Sequence, residues 1–158
     1  EPVYSIADEK EMTLVGFAGF IDPAKESAVT AIDSLHRHGV AVKVLTGDNE
    51  IVAKKVCQDV GISADKFLLG PEIEQLSDAE LTDKVDNIHL FAKLTPMQKT
   101  RIIQILQSKK HTVGLMGDGI NDAPALRTAD VGISVYTSAD ITKDASSIIL
   151  LEKSLNVL

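Results

Sequence analysis

Apolar runs and amphipathic stretches alternate along the chain. Val15–Ile21 is apolar and β-rich with no helical period, which predicts a buried strand. Pro23 then opens a helix with apolar positions at Ala28, Val29, Ala31, Ile32 and Leu35, and Gly39 sits where a glycine closes a helix. Val40–Leu45 predicts the next strand. A helix follows from Glu50 to Val60, with Val52, Val56 and Val60 on one face. Residues 62–76 read as loop with one extended piece at Phe67–Leu69. Ser77-Asp78-Ala79-Glu80 and Thr95-Pro96-Met97-Gln98 both have capping-box spacing, so each starts a helix, the second running to Lys109. Further strands are predicted at Ile88–Ala92, Thr112–Met116, Val131–Val135 and Ile148–Leu151. Between the last three lie a short helix at Ala123–Thr128 and a helical turn from Ser138.

Continuous Val, Ile and Leu runs separated by amphipathic helices predict a parallel sheet covered on both faces. The class is α/β, a doubly wound, mostly parallel Rossmann-like sheet, in one domain over residues 1–158. Such sheets bind ligands at the carboxyl ends of their strands, so the residues after each strand carry the functional question.

Composition narrows the classes. Of the 158 residues 44% are hydrophobic and only 4% aromatic, so the core is built from aliphatic side chains. A net charge of −7 opposes nucleic acid, which needs a basic face. A lone cysteine, Cys57, excludes a disulfide framework within the chain and a zinc ribbon. No apolar run approaches the ~20 residues of a membrane helix; the longest, Leu14–Ile21, contains Gly16 and Gly19. The chain opens on Glu1-Pro2 and stops on Ser-Leu-Asn-Val-Leu, which reads as a piece excised from something longer.

Four strand ends fall on one edge of the predicted sheet. They carry Asp22-Pro23-Ala24-Lys25, Thr46-Gly47-Asp48-Asn49, Lys93-Leu94-Thr95 with Lys99 beyond, and Gly117-Asp118-Gly119-Ile120-Asn121-Asp122. Lys99 shares a helical stripe with Ile102, Ile103 and Leu106, so it aims inward at the edge; alone it also fits a lysine snorkelling at a core rim. Gly117 and Gly119 flank Asp118, which suits a tight turn against a ligand. Two carboxylates about 4 Å apart repel by ~4 kcal/mol at an effective dielectric near 20. A divalent cation relieves that, and oxygen-only ligands favour Mg²⁺ over zinc. Asp122 also fits a plain helix cap before Pro124. Asp48 or Asn49 fits a cap in the same way, while Thr46 and the following N–H groups suit a phosphoryl oxygen. His36, His38, His89 and His111 lack ligand-spaced partners. No P-loop and no dinucleotide fingerprint is present.

Together these strings resemble the phosphorylation domain of P-type cation-transporting ATPases, a domain of the haloacid-dehalogenase-like fold. The carriers are Asp22-Pro23-Ala24-Lys25, Thr46-Gly47-Asp48-Asn49, Leu94-Thr95-Pro96-Met97-Gln98-Lys99 and the long run from Gly117 to Arg127. The tail Ile148–Leu155 and the surroundings of Leu68-Leu69-Gly70 are most similar to the bacterial magnesium-transporting subgroup. The resemblance implies that ATP phosphorylates a catalytic aspartate. It implies that Thr46 contacts the phosphoryl group, Lys99 neutralises it and Asn121 hydrogen-bonds it. Asp118 and Asp122 would serve the catalytic Mg²⁺, with Asp22, Lys25, Gly47 and Asp48 near the hinge and the arriving ATP. The implied partners are the nucleotide-binding, actuator and membrane domains of one parent chain, with this domain on the cytoplasmic side of a cell membrane.

One departure matters. The family's nucleophile lies in Asp-Lys-Thr-Gly-Thr on the central strand, and that string does not occur here. The chain is therefore expected to lack the central strand and to be inactive alone. Its gap would be filled by Val15–Ile21 or bridged by dimerisation. The alternatives are a stand-alone haloacid-dehalogenase-like phosphatase, a pseudo-phosphatase used for binding, or a generic nucleotide-binding module.

Overall fold

The computed structural model describes residues 5, 6, 10–19, 24, 26–152 and 155–157. Seven helices and six strands alternate over them: α1 Glu26–Arg37, β1 Val44–Leu45, α2 Glu50–Asp59, β2 Phe67–Leu69, α3 Gly70–Gln75, α4 Asp78–Val85 and β3 Leu90–Ala92. Then follow α5 Pro96–Ser108, β4 Gly114–Met116, α6 Ala123–Thr128, β5 Val131–Val135, α7 Asp140–Asp144 and β6 Ile148–Leu150. Every strand pairing is parallel.

The strands form two sheets of three, ordered β1-β3-β2 and β4-β5-β6. In the first, Leu45 aligns with Phe91 and Leu68 with Phe91 from the other side. Phe91, fully buried, packs with Ile73, Leu81, Val85, Ile102, Ile105 and Leu106 from α3, α4 and α5. Its neighbours Leu90 and Ala92 belong to the other cluster, with Ala28 of α1 and Ala53 and Cys57 of α2. Successive strand residues point to opposite faces, so this sheet is covered on both, as the apolar runs predict.

The second sheet departs from that prediction. On one face Leu115 packs with Ala123, Leu126 and Ala145. On the other, the row Met116, Ile133 and Ile148 lies in register. Met116 there is 37% exposed and Ile148 46%. Farther along the same face Leu150, beside Val135, is buried, so the face is open only in part.

Several local expectations are corrected. Of the predicted strand Val15–Ile21, residues 15–19 form no regular element, with Val15 98% and Phe17 91% exposed; Ile21 lies outside the described residues. An apolar run becomes a strand only beside an edge that takes its N–H and C=O groups, and Gly16 and Gly19 weaken it further. Nor does this run fill any gap over 15–19. The predicted strand Val40–Leu45 shrinks to β1 because Val40 finishes α1 instead. Gly39 turns with φ 78°, and the Val40 N–H donates to Leu35 O at 2.9 Å. In α2 the buried side chains are Ala53 and Cys57, with Val60 just beyond, whereas Val52 is exposed. Small residues at 53 and 57 let the helix lie close to the sheet. The helix α3 falls where a loop was expected. Gly70-Pro71 reads as a turn, but Pro71 starts the helix and the Leu69 N–H donates to Glu72 Oε2 at 2.7 Å.

Candidate functional site

The carboxyl ends of β1, β3 and β4 carry three of the four predicted loops. The first, after β1, folds on itself. The Thr46 hydroxyl donates to Asp48 Oδ2 at 2.9 Å, and the Asp48 N–H donates to Thr46 Oγ1 at 3.1 Å. Asn49, not Asp48, caps α2, its Oδ1 accepting from the Ile51 and Val52 N–H groups. Gly47 sits against the next loop, since a Cβ there would stand 3.5 Å from Leu94 O.

The second loop follows β3. The Lys93 N–H donates to Asp48 O at 2.8 Å and the Leu94 N–H to Thr46 O at 3.0 Å, so the two loops are laced together. Thr95 and Gln98 form the reciprocal capping box expected from their spacing: Gln98 N–H donates to Thr95 Oγ1, and Thr95 N–H to Gln98 Oε1. The buried Gln98 also donates to Gly70 O at 3.0 Å and Glu74 Oε2 at 2.9 Å. This pins the start of α5.

One turn into α5, Lys99 points to the edge as its stripe predicts. Its Nζ stands 2.6 Å from Asp122 Oδ1, and each side chain is only 16% exposed. The other Asp122 oxygen accepts the Gly119 N–H at 3.4 Å. Asp122 precedes α6 but makes no side-chain cap bond to it; its carboxylate faces Lys99 and its own loop instead. Gly117 is required here. A Cβ on it would fall 2.8 Å from Asp122 Cβ and 3.0 Å from Oδ2. The loop lies that close to the carboxylate. Asp118 and Asn121 are exposed on it.

Lys99 pairs with Asp122, and the backbone leading into α5 ties Lys99 to the loop of Thr46, Gly47 and Asp48 through Lys93 and Leu94. Asp22 and Lys25 lie outside the described residues. Among the described residues no three His, Cys, Asp or Glu side chains gather in a cage. The donor set at 118 and 122 is two carboxylates on a tight glycine-flanked loop. That fits Mg²⁺, which binds through one or two carboxylates and keeps most of its water.

Two contributors were not singled out from the sequence. Thr142, fully buried on α7, donates its hydroxyl to Gly119 O at 3.2 Å and braces the third loop from behind. A threonine in a short polar helix gives no sequence signal of that. Glu50 pairs with Lys93 at 2.8 Å, and that hydrogen bond holds its carboxyl below the usual range.

A mostly parallel α/β fold with charged loops on one edge defines a class. The sequence profile of haloacid dehalogenase-like hydrolases matches residues 4–130, and the chain belongs to that family. Within it, the chain is 58% identical over 157 residues to "Magnesium-transporting ATPase, P-type 1" of Salmonella typhimurium, covering 99% of this chain and 17% of that protein. It is 53% identical over 155 residues to the protein of the same name in Escherichia coli K12, covering 98% and 17%. Among solved structures it is similar to the zinc-transporting PIB-type ATPase in its E2.Pi state, at TM-score 0.65 and 26% identity, covering 85% of this chain and 18% of that one. The catalytic domain of the CPx-ATPase CopB-B aligns at TM-score 0.61 and 26% identity, covering 81% and 40%. The chain therefore spans about a sixth of the length of its magnesium-transporting relatives. No described helix is long and apolar enough to cross a membrane.

Proposed function

We propose that this chain supplies the phosphoryl- and Mg²⁺-binding loops of a P-type ATPase that drives a cation, in the reading favoured here Mg²⁺, across a membrane. The observation that carries this is the paired Lys99 and Asp122 at the strand ends, laced through α5 to the Thr46 loop. Lys99 places a fixed positive charge where a phosphoryl group gains negative charge. The Thr46 hydroxyl and the Asn121 amide donate to its oxygens. Asp118 and Asp122 would hold Mg²⁺, which when bound supplies further positive charge. Asp22, Lys25, Gly47 and Asp48 meet the arriving ATP at the hinge. This catalytic ion is distinct from any transported one, which would cross through membrane helices of the parent.

The phosphorylated aspartate comes from a strand outside these residues. Two observations support that. Asp-Lys-Thr-Gly-Thr is absent from the sequence, and among the described residues β1 and β4 are edge strands with no ladder between them. We place the missing strand between those edges. The nucleotide-binding, actuator and membrane domains of the parent complete the machine, with this domain on the cytoplasmic side.

Two measurements test the reading. A Mg²⁺ titration followed by NMR is expected to shift the amides of 117–122 at millimolar concentration or above, the order of magnitude for a site of two carboxylates. The chain alone is expected to turn over neither ATP nor acetyl phosphate. Turnover that disappears in Asp22→Asn would instead identify a stand-alone phosphatase with Asp22 as nucleophile.

A further inference from the structure

Three non-glycine residues among those described have a positive φ: Glu11, Lys93 and Lys110. Lys110 follows the end of α5, where a left-handed residue is ordinary. Lys93, at φ 53°, stands directly after a strand. A side chain disfavours that conformation because its Cβ crowds the next carbonyl. It persists only where the surroundings over-determine it.

The surroundings here are specific. Consecutive N–H groups in a strand point to opposite sides, whereas a left-handed residue can turn them to one. The N–H groups of Lys93 and Leu94 both reach the 46–48 loop, at Asp48 O and Thr46 O. On its other side the Lys93 carbonyl presses on Gly70, where a Cβ would stand 2.2 Å from it. Two residues later Thr95 caps α5 and fixes the entry of Lys99. Thr46 and Lys99 reach the site from different elements, and the turn at 93–94 is the joint between them.

We propose that Lys93 is a positioning residue for the phosphoryl site, acting through its left-handed backbone and not through its charge. The proposal rests on the phosphoryl reading above. The side chain is a separate matter: its pair with Glu50 is partly exposed, and such pairs contribute little.

The test uses the chain labelled with ¹⁵N and titrated with inorganic phosphate in the presence of Mg²⁺. The amides of Thr46, Gly47, Lys99 and Asn121 report binding, and those of β5 and β6 report folding. Lys93→Gly keeps the turn and loses the charge, and Glu50→Gln removes the partner. Both are expected to bind phosphate as the wild type does. Lys93→Val disfavours the turn and is expected to bind about tenfold more weakly, with β5 and β6 unchanged. Weakened binding by Lys93→Gly or Glu50→Gln overturns the proposal, whether or not the valine variant folds. So does wild-type binding by Lys93→Val. A wild type that shows no phosphate response at these amides overturns the phosphoryl reading itself, and this proposal with it.

Discussion

Gly117 shows how narrow the tolerances at the site are. A methyl group at 117 would stand 2.8 Å from Asp122 Cβ, well inside contact distance, and neither partner is a flexible tip that can step aside. Gly117→Ala is therefore expected to cost about 1–3 kcal/mol, the range for overpacking, and to abolish the Mg²⁺-dependent shifts at 117–122. Urea unfolding and the same NMR titration check this. An alanine variant with unchanged midpoint and shifts would mean that the loop is looser than drawn. At this scale the sequence was legible where chemistry and period coincide. Lys99 lies on the stripe of Ile102, Ile103 and Leu106, and the structure buries those three and leaves the Lys99 side chain only 16% exposed. It was not legible where a long-range contact decides. Nothing near Asp122 in the sequence says that its carboxylate goes to Lys99 instead of capping α6. Nothing near Lys93 says that its φ is positive.

At the scale of elements, the chain fixes helix ends with long side chains on the edge opposite the site. The Lys43 ammonium donates to the carbonyls of Val85, Asp86 and Ile88 at 2.8, 3.0 and 2.7 Å, closing the end of α4. Burial lowers its pKa. Beside it, Asp86 pairs with Lys109 at 2.8 Å and with His111 at 3.1 Å, tying α4 to the end of α5. The Lys109 hydrogen bond first, and His111 after it, hold the Asp86 carboxyl below the usual range. A carboxyl with a depressed folded pKa contributes stability above its unfolded pKa and loses it as pH falls through the folded one. Asp86→Asn is thus expected to be less stable than the wild type near neutrality, with the gap closing below about pH 4. Urea midpoints on both sides of that value check the sign. A gap that stayed constant would show that the aspartate acts through shape alone. Capping boxes at Ser77 and Thr95 were readable because cap and partner are three residues apart. Lys43 was not, because its three acceptors lie more than forty residues away.

On the scale of the molecule, the two halves differ in completeness. The sheet β1-β3-β2 has apolar clusters on both faces, while β4-β5-β6 leaves Met116, Ile133 and Ile148 on a half-open one. The α/β class and the parallel order follow from the alternating apolar runs. The division into two sheets does not, because each run is apolar whether or not a neighbour pairs with it. Helices α5 and α6 pack together across the division, and Lys99 bonds to Asp122 over it. Among the described residues β1 and β4 are edge strands, and an unpaired edge is a template for another strand. The isolated chain is accordingly expected to associate as its concentration rises, and light scattering across a dilution series checks this. A monomer at every concentration would show that the edges are shielded. The same open seam gives the chain a practical use. Under the reading proposed above, one β-strand of the parent completes that seam. A synthetic peptide built on that strand and linked to a fluorophore would report assembly as a gain in anisotropy, turning an interrupted sheet into a complementation sensor.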